Sequence, residues 1–220
     1  LDMSPKLEEP TSVAARIGKP VGETARRLED MARRGLLFRL RKNEIDKYGA
    51  IPFMHGLVEF QVKRFDHELG ELLERYFQEG FYNAIASTEG LFLRTVPVRQ
   101  SVSLDSHVAA FEDASRLLQN ADIIAVAPCV CRTIKKSHDN GCGKPLEACF
   151  MFGSMARYYI DYGLGRRVDL DEALSILKTC QEAGLVTQPG TAQNPAGMCN
   201  CCGDCCGVLK SVKLHPRPAE

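Results

Sequence analysis

The sequence predicts an α+β fold in three parts: an N-terminal winged-helix-like part, a linking helix with a loop, and a small C-terminal α/β domain rich in cysteine. Three observations carry this prediction. A helix–turn–helix–hairpin pattern fills the first part, an apolar stripe of helical period follows it, and all ten cysteines come at or after Cys129. The predicted boundaries are 1–54, 55–90 and 91–220.

The winged-helix-like part begins with two helices, predicted over 11–18 and 20–34. Proline suits the first turn of a helix, so Pro20 favours a start there, and Gly35 favours an end after residue 34. Apolar residues recur at helical spacing along the second helix. Two strands and the polar loop that joins them complete the pattern, at 36–40, 48–53 and 41–47.

The second of these helices has the basic side chains of a candidate DNA-recognition helix, namely Arg26, Arg27, Arg33 and Arg34. Glu23, Glu29 and Asp30 share the same helix, and the whole chain has a formal net charge of zero. A neutral chain has no general attraction to nucleic acid. We therefore expect a scaffold that packs on the cysteine-rich domain rather than nucleic-acid binding.

The linking helix is predicted over 55–79, with Gly80 at its end and a loop over 81–90. Its apolar stripe consists of Phe60, Phe65, Leu69, Leu72, Leu73 and Tyr76. His55 and His67 have no cysteine near them in the sequence, so we expect surface or hydrogen-bonded histidines rather than metal ligands.

The cysteine-rich domain begins with a strand over 91–102, a helix near 106–120 and an apolar strand over 123–127. Strand, helix and strand in this order indicate a small α/β unit. Open α/β sheets bind ligands beyond the carboxyl ends of their strands. The second strand would therefore deliver Cys129 and Cys131 to a ligand-binding edge.

A helix is predicted next, from Pro145 to about Tyr162. Cys149 would lie in its first turn, where the helix dipole favours an anionic thiolate. Four cations surround this segment and either offset thiolate charge or are solvated loop residues: Arg132, Lys135, Lys136 and Lys144.

Another helix is predicted over 170–183, because Asp169 and Glu172 form a capping-box pattern at its start. Cys180 shares a face of this helix with apolar residues, so we expect a buried thiol in the core rather than a ligand. A short extended piece, a turn-rich segment and a last helix are predicted at 185–187, 188–198 and 208–214.

Nine of the ten cysteines fall in two dense groups and are the candidate metal ligands. The upstream group is Cys129, Cys131, Cys142 and Cys149, and the downstream group is Cys199, Cys201, Cys202, Cys205 and Cys206. Four thiolates suffice for one [4Fe–4S] cluster or one structural zinc ion. We expect one site in each group, the alternative being a shared site in which the upstream C-x-C pair joins the downstream run.

Spacing distinguishes the members of the downstream group. Its C-x-x-C-x-x-C register consists of Cys199, Cys202 and Cys205. These three and the four upstream cysteines are the predicted cluster ligands, while Cys201 and Cys206 are spare ligands or part of an overlapping register. Iron–sulfur, as a [4Fe–4S] cluster, is the expected cofactor, and zinc is the alternative.

Composition favours metal over disulfides. Disulfide-dense domains are usually small and secreted, whereas this chain has 220 residues and begins without the features of a signal peptide. No apolar run is long enough to span a bilayer. We expect a cytoplasmic protein whose cysteines remain thiols or ligands.

Several stretches together resemble one family: Ala127-Pro-Cys-Val-Cys-Arg132, Lys144-Pro-Leu-Glu-Ala-Cys149, Tyr158-Tyr-Ile-Asp-Tyr-Gly-Leu-Gly-Arg166, the cysteine run 199–206, and His215-Pro-Arg-Pro218. They are similar to the N-terminal region of anaerobic bacterial 4Fe–4S ferredoxin-type proteins. The resemblance implies a winged-helix-plus-cysteine module that is normally followed by a dicluster ferredoxin domain. No such domain lies within these residues, so we expect a piece of a longer protein.

The leading functional hypothesis is an iron–sulfur electron-transfer module of a larger redox protein or complex. Its partner would be a redox protein or the following ferredoxin domain. A structural zinc module for interaction or regulation is one alternative. A catalytic non-cubane cluster is another, since Cys201-Cys202-Gly203 resembles the motif of certain disulfide reductases. No catalytic residue is assigned, and an electron-transfer component is favoured over an enzyme.

Overall fold

The computed structural model describes residues 6–87, 114–192 and 194–212. The chain divides into two compact units, Leu1–Arg64 and Phe65–Glu220. Both helices and antiparallel sheets are present, which confirms the mixed α+β composition. The predicted strand over 91–102 and the first part of the helix near 106–120 lie outside the described residues.

The first unit opens with two helices and a hairpin, as predicted. They are α1 (Pro10–Ile17), α2 (Val21–Arg33), β1 (Phe38–Lys42) and β2 (Ile45–Gly49). The loop of the hairpin is shorter than predicted, because only Asn43 and Glu44 lie between the strands. Both have positive φ, at 50° and 62°, as a two-residue turn between antiparallel strands requires. The winged-helix assignment stays a prediction.

The predicted continuous helix over 55–79 is wrong. Short helical turns at Phe53–Leu57 and Glu59–Gln61 are followed by non-helical residues, and α3 begins only at His67 and ends at Tyr76. The Asp66 carboxylate accepts a hydrogen bond from the Leu69 backbone N–H at 2.9 Å. This N-cap satisfies a free donor and starts a new helix, although the apolar period continues through the break.

Gly80 does not end the helical segment either. A wider helical turn at Phe77–Phe81 leads directly into α4 (Tyr82–Ala86). The described part of the predicted loop over 81–90 is therefore mostly helical. Phe77 and Phe81 stack at 5.3 Å between ring centroids, and Phe77 and Tyr82 at 5.7 Å. These aromatic contacts hold the wider turn together.

The second unit contains a five-stranded sheet in the order β5-β3-β4-β7-β6. Its strands are β3 (Ile124–Pro128), β4 (Glu147–Phe152), β5 (Arg166–Val168), β6 (Val186–Pro189) and β7 (Gly197–Cys201). Every neighbouring pair is antiparallel. The predicted α/β unit stays a prediction, because its first strand, over 91–102, lies outside the described residues. The second strand does end at Pro128, immediately before Cys129, as expected.

Five more described helices belong to this unit: α5 (Ala114–Gln119), α6 (Val130–Ser137), α7 (Gly153–Asp161), α8 (Leu170–Glu182) and α9 (Gly207–Val212). Of these, α7 and α8 pack on the sheet. The predicted start of α8 is confirmed, because the Asp169 carboxylate accepts from the Glu172 N–H at 2.9 Å. The predicted helix from Pro145 is wrong. Residues Glu147–Phe152 are the strand between β3 and β7, and the helix begins only at Gly153.

The two faces of the sheet have different chemistry. Phe150 of β4 and Met198 of β7 contribute to an apolar core with Val126, Leu118 and Leu177. Side chains alternate along a strand. Cys149, Cys199 and Cys201 therefore point to the opposite face.

Within the described residues, no helix is both long and apolar enough to cross a membrane.

Candidate metal centre

The junction of β3 and α6 positions the first two cysteines. The Cys129 N–H donates to the Leu146 carbonyl oxygen at 2.8 Å, and Cys129 is the N-cap residue of α6. Cys131 lies in the first turn of that helix. The N-terminus of α6, which the sequence did not predict, thus faces thiols, and its dipole favours negative charge there.

Strand pairing brings the two sequence groups together. Cys149 of β4 lies directly opposite Cys199 of β7. Cys201 follows two residues later on the same face of β7, because side chains alternate. The sheet therefore joins an upstream cysteine to two downstream cysteines.

Six thiols contact one another in sequence around a closed circuit, which we call the six-cysteine ring: Cys129, Cys131, Cys206, Cys201, Cys199 and Cys149. Each contacts the next, and Cys149 contacts Cys129 again. The ring draws three members from each sequence group. Four of its members, Cys129, Cys149, Cys201 and Cys206, are only 4–6 % exposed.

The contacts in the ring polarise its thiols. Hydrogen bonds with Cys131 and Cys149 hold the pKa of Cys129 well below its ordinary value. Hydrogen bonds with Cys131 and Cys201 lower the pKa of Cys206 to about 3. The same contacts raise the pKa of Cys131, Cys149 and Cys201. The lowered pKa of Cys129 and of Cys206 favours their thiolate form, which is the form that binds metal.

A second group, which we call the triad, consists of Cys142, Cys202 and Cys205. Their sulfur atoms all lie within 4.8 Å of one another, and those of Cys142 and Cys202 are 3.8 Å apart. Burial raises the pKa of Cys205 to about 12. Burial also acts to raise the pKa of Cys202, but the Cys205 N–H and the Arg132 guanidinium lower it overall.

The spacing of the triad suits a single metal ion, so these clustered cysteines could hold one. Zinc–sulfur bonds of about 2.3 Å place the corners of a tetrahedron about 3.8 Å apart. The sulfurs of the ring are more widely spaced. Among the described residues, no three of them lie within 4.8 Å of one another, as the three of the triad do.

Arg132 lies between the two groups. Its side chain is buried, and Nη1 donates to the Asn200 carbonyl oxygen at 3.1 Å. The charges of Cys129, Cys149 and Cys202 raise its pKa, although burial opposes them. Among the residues that the structure describes, its buried Nε and Nη2 atoms have no hydrogen-bond partner. A buried guanidinium in this position offsets negative charge on thiolates of both groups.

A polar cluster adjoins the ring and was missed in the sequence. Lys135 of α6 is buried and pairs with Glu74 of α3, with Nζ and Oε1 2.6 Å apart. Lys210 is 3.9 Å from the same carboxylate oxygen. Burial raises the pKa of Tyr82, and so do the charges of Glu74 and Cys131. No pattern near Glu74 predicts this contact, because α3 and α6 are far apart in the sequence.

The structure brings together all nine candidate ligands, but not in the predicted groups. The upstream set divides, because Cys142 contacts Cys202 and Cys205 rather than Cys129. The C-x-x-C-x-x-C register also divides, because Cys199 belongs to the ring. The contacts are closer to the shared-site alternative. Cys180 is fully buried, as expected, and burial raises its pKa to about 11.

No protein-family model, curated protein or solved structure matches the chain.

Proposed function

We propose that this chain is an electron-transfer module whose six-cysteine ring holds an iron–sulfur cluster. The observation that carries the proposal is the ring itself, in which each of six thiols interacts with two others and no three are close enough to share a single ion. In a cluster, each thiolate binds a different iron atom, so the thiolates lie farther apart than they would around one ion.

The donor set fits this cofactor. Four thiolates bind a [4Fe–4S] cluster, and the ring offers six. When bound, the cluster would supply one-electron chemistry. The chain would contribute burial, the N-terminus of α6 and the positive charge of Arg132, which are the features that tune the potential of such a cluster. Electrons would pass to a redox partner protein or to a ferredoxin domain.

A structural zinc module is the second candidate. The separation of 3.8 Å between the Cys142 and Cys202 sulfurs supports it, because this is the edge of a zinc–thiolate tetrahedron. In that case the metal would brace the segments that carry the cysteines and would transfer no electrons.

Anaerobic reconstitution with iron and sulfide tests the proposal. We expect iron and acid-labile sulfide to be incorporated, a brown colour, and a paramagnetic signal on reduction. Cys149→Ser should lose most of this iron and sulfide. Cys180→Ala is the matched control, because Cys180 is equally buried but lies outside both groups, and it should retain both. Protein that takes up zinc but no sulfide-containing cluster would contradict the proposal.

A further inference from the structure

The triad has properties that the ring lacks. Its three sulfurs are close enough to share one ion, and the separation between Cys142 and Cys202 matches the edge of a tetrahedral thiolate site. A tetrahedral ion needs four ligands. Among the described residues, no fourth cysteine, histidine, aspartate or glutamate joins the three.

The triad is also accessible from one side. Cys202 and Cys205 are only 2 % and 4 % exposed, whereas Cys142 is partly exposed in the loop between α6 and β4. Lys144, two residues further on, donates from Nζ to the Ala183 carbonyl oxygen at 3.2 Å, just past the end of α8. This bond ties the loop to the helix and keeps Cys142 near its partners.

Charge limits what can occupy the fourth position. Three thiolates and a divalent cation leave one net negative charge, which the Arg132 guanidinium beside Cys202 offsets. A fourth thiolate would add a negative charge in buried surroundings and would be unfavourable. A neutral nitrogen or oxygen donor would keep the site balanced.

We propose that the triad binds one thiophilic divalent cation, such as Zn²⁺, and leaves its fourth position to a small neutral donor from outside the chain. Three protein ligands with an exchangeable fourth are typical of reactive rather than structural zinc sites. The inference is independent of the ring; it rests on the zinc candidate named above and adds an open fourth position, which a structural site would lack.

Cobalt titration of the reduced, metal-free full chain under anaerobic conditions tests this proposal, with Co²⁺ as a coloured substitute for zinc. Cys142→Ser should weaken binding by more than about 100-fold, since even loss of an outer partner costs about 10- to 100-fold. Cys205→Ser is a second variant and should do the same. Cys199→Ser, in the ring, should retain the thiolate–cobalt band. Circular dichroism checks that each variant is folded.

Imidazole then tests the open position. In the wild type we expect added imidazole to shift the visible cobalt bands, and bands that do not move would overturn the proposal. His215→Ala is an informative control, because His215 follows the last cysteine and lies outside the described residues. If imidazole acts only on this variant, the chain fills the position itself and the proposal is wrong. A ring that assembles no iron–sulfur cluster would leave these outcomes unchanged.

Discussion

Arg132 places a permanent positive charge between two groups of thiols. It donates a hydrogen bond to the Asn200 carbonyl oxygen, and two of its nitrogens have no hydrogen-bond partner in the described part of the chain. Unsatisfied buried donors are costly. Thiolate charge on Cys129, Cys149 and Cys202 offsets that cost. The residue is therefore a positioning and charge-balancing group for both sites.

Replacing Arg132 tests that role. Arg132→Met should weaken metal retention and make the reduction potential of a bound cluster more negative, because a nearby positive charge favours the added electron. Arg132→Lys keeps the positive charge, so the reduction potential should change little, although the hydrogen bond to Asn200 should be lost. Lys136→Met is the matched control, since Lys136 is exposed on the same helix. Voltammetry and metal counting provide the measurements. An unchanged potential in Arg132→Met would contradict the role.

Glu74 is the carboxylate on which the buried Lys135 depends. Burial acts to raise the pKa of Glu74, but bonds to Lys135 and Gln78 lower it below its ordinary value of 4.5. A carboxyl group with a lowered pKa stabilises the fold above its unfolded pKa, and this contribution is lost as the pH falls through the folded pKa. The wild type should therefore lose this part of its stability below pH 4.5.

Glu74→Gln should destabilise the protein by about 3 kcal/mol at pH 7, because the buried Lys135 ammonium would have no carboxylate. The difference from the wild type should shrink in acid. Urea unfolding at pH 7 and at a pH below 4.5 measures this difference in the free energy of unfolding. Glu182→Gln removes an exposed partner of Lys178 and should change the free energy of unfolding by less than about 1 kcal/mol. Equal losses in the two variants would rule out a special role for Glu74.

At the scale of elements, the basic residues of α2 lie beside acidic residues of the same helix. Two of its arginines and the C-cap Arg34 face acidic residues one turn earlier, in the pairs Arg27–Glu23, Arg33–Glu29 and Arg34–Asp30. The Arg27–Glu23 and Arg34–Asp30 pairs are exposed and contribute little to stability, whereas Glu29 is half-buried and also pairs with the buried Arg39. Together the three pairs leave the helix with little net positive charge for phosphate groups.

We therefore expect no sequence-specific DNA binding. A fluorescence titration with mixed duplexes should give only weak association that disappears at physiological salt. Glu23→Gln with Asp30→Asn would unmask Arg27 and Arg34 and should strengthen this nonspecific association. Micromolar or tighter binding of one duplex by the wild type would show that α2 recognises DNA.

At the scale of the whole molecule, the sequence predicted the features that depend on neighbouring residues. The N-cap at Asp169 and the strand β3 were predicted correctly, because a few adjacent residues determine each of them. β4 was mistaken for a helix, because Pro145 is a favourable helix start and the pairing of Cys149 with Cys199 joins residues 50 positions apart. The ring and the triad depend on that pairing. Spacing in the sequence does not reveal it, so the sequence predicted one site in each group of cysteines.

Metal counting on four single serine variants tests the division between ring and triad most directly. The structure pairs Cys149 with Cys199, and Cys142 with Cys202, across the two segments. Cys149→Ser and Cys199→Ser should lose the same complement of metal, and Cys142→Ser and Cys202→Ser should lose a different one. If Cys142→Ser instead matches Cys149→Ser, while Cys199→Ser matches Cys202→Ser, the sites follow the sequence and this division is wrong.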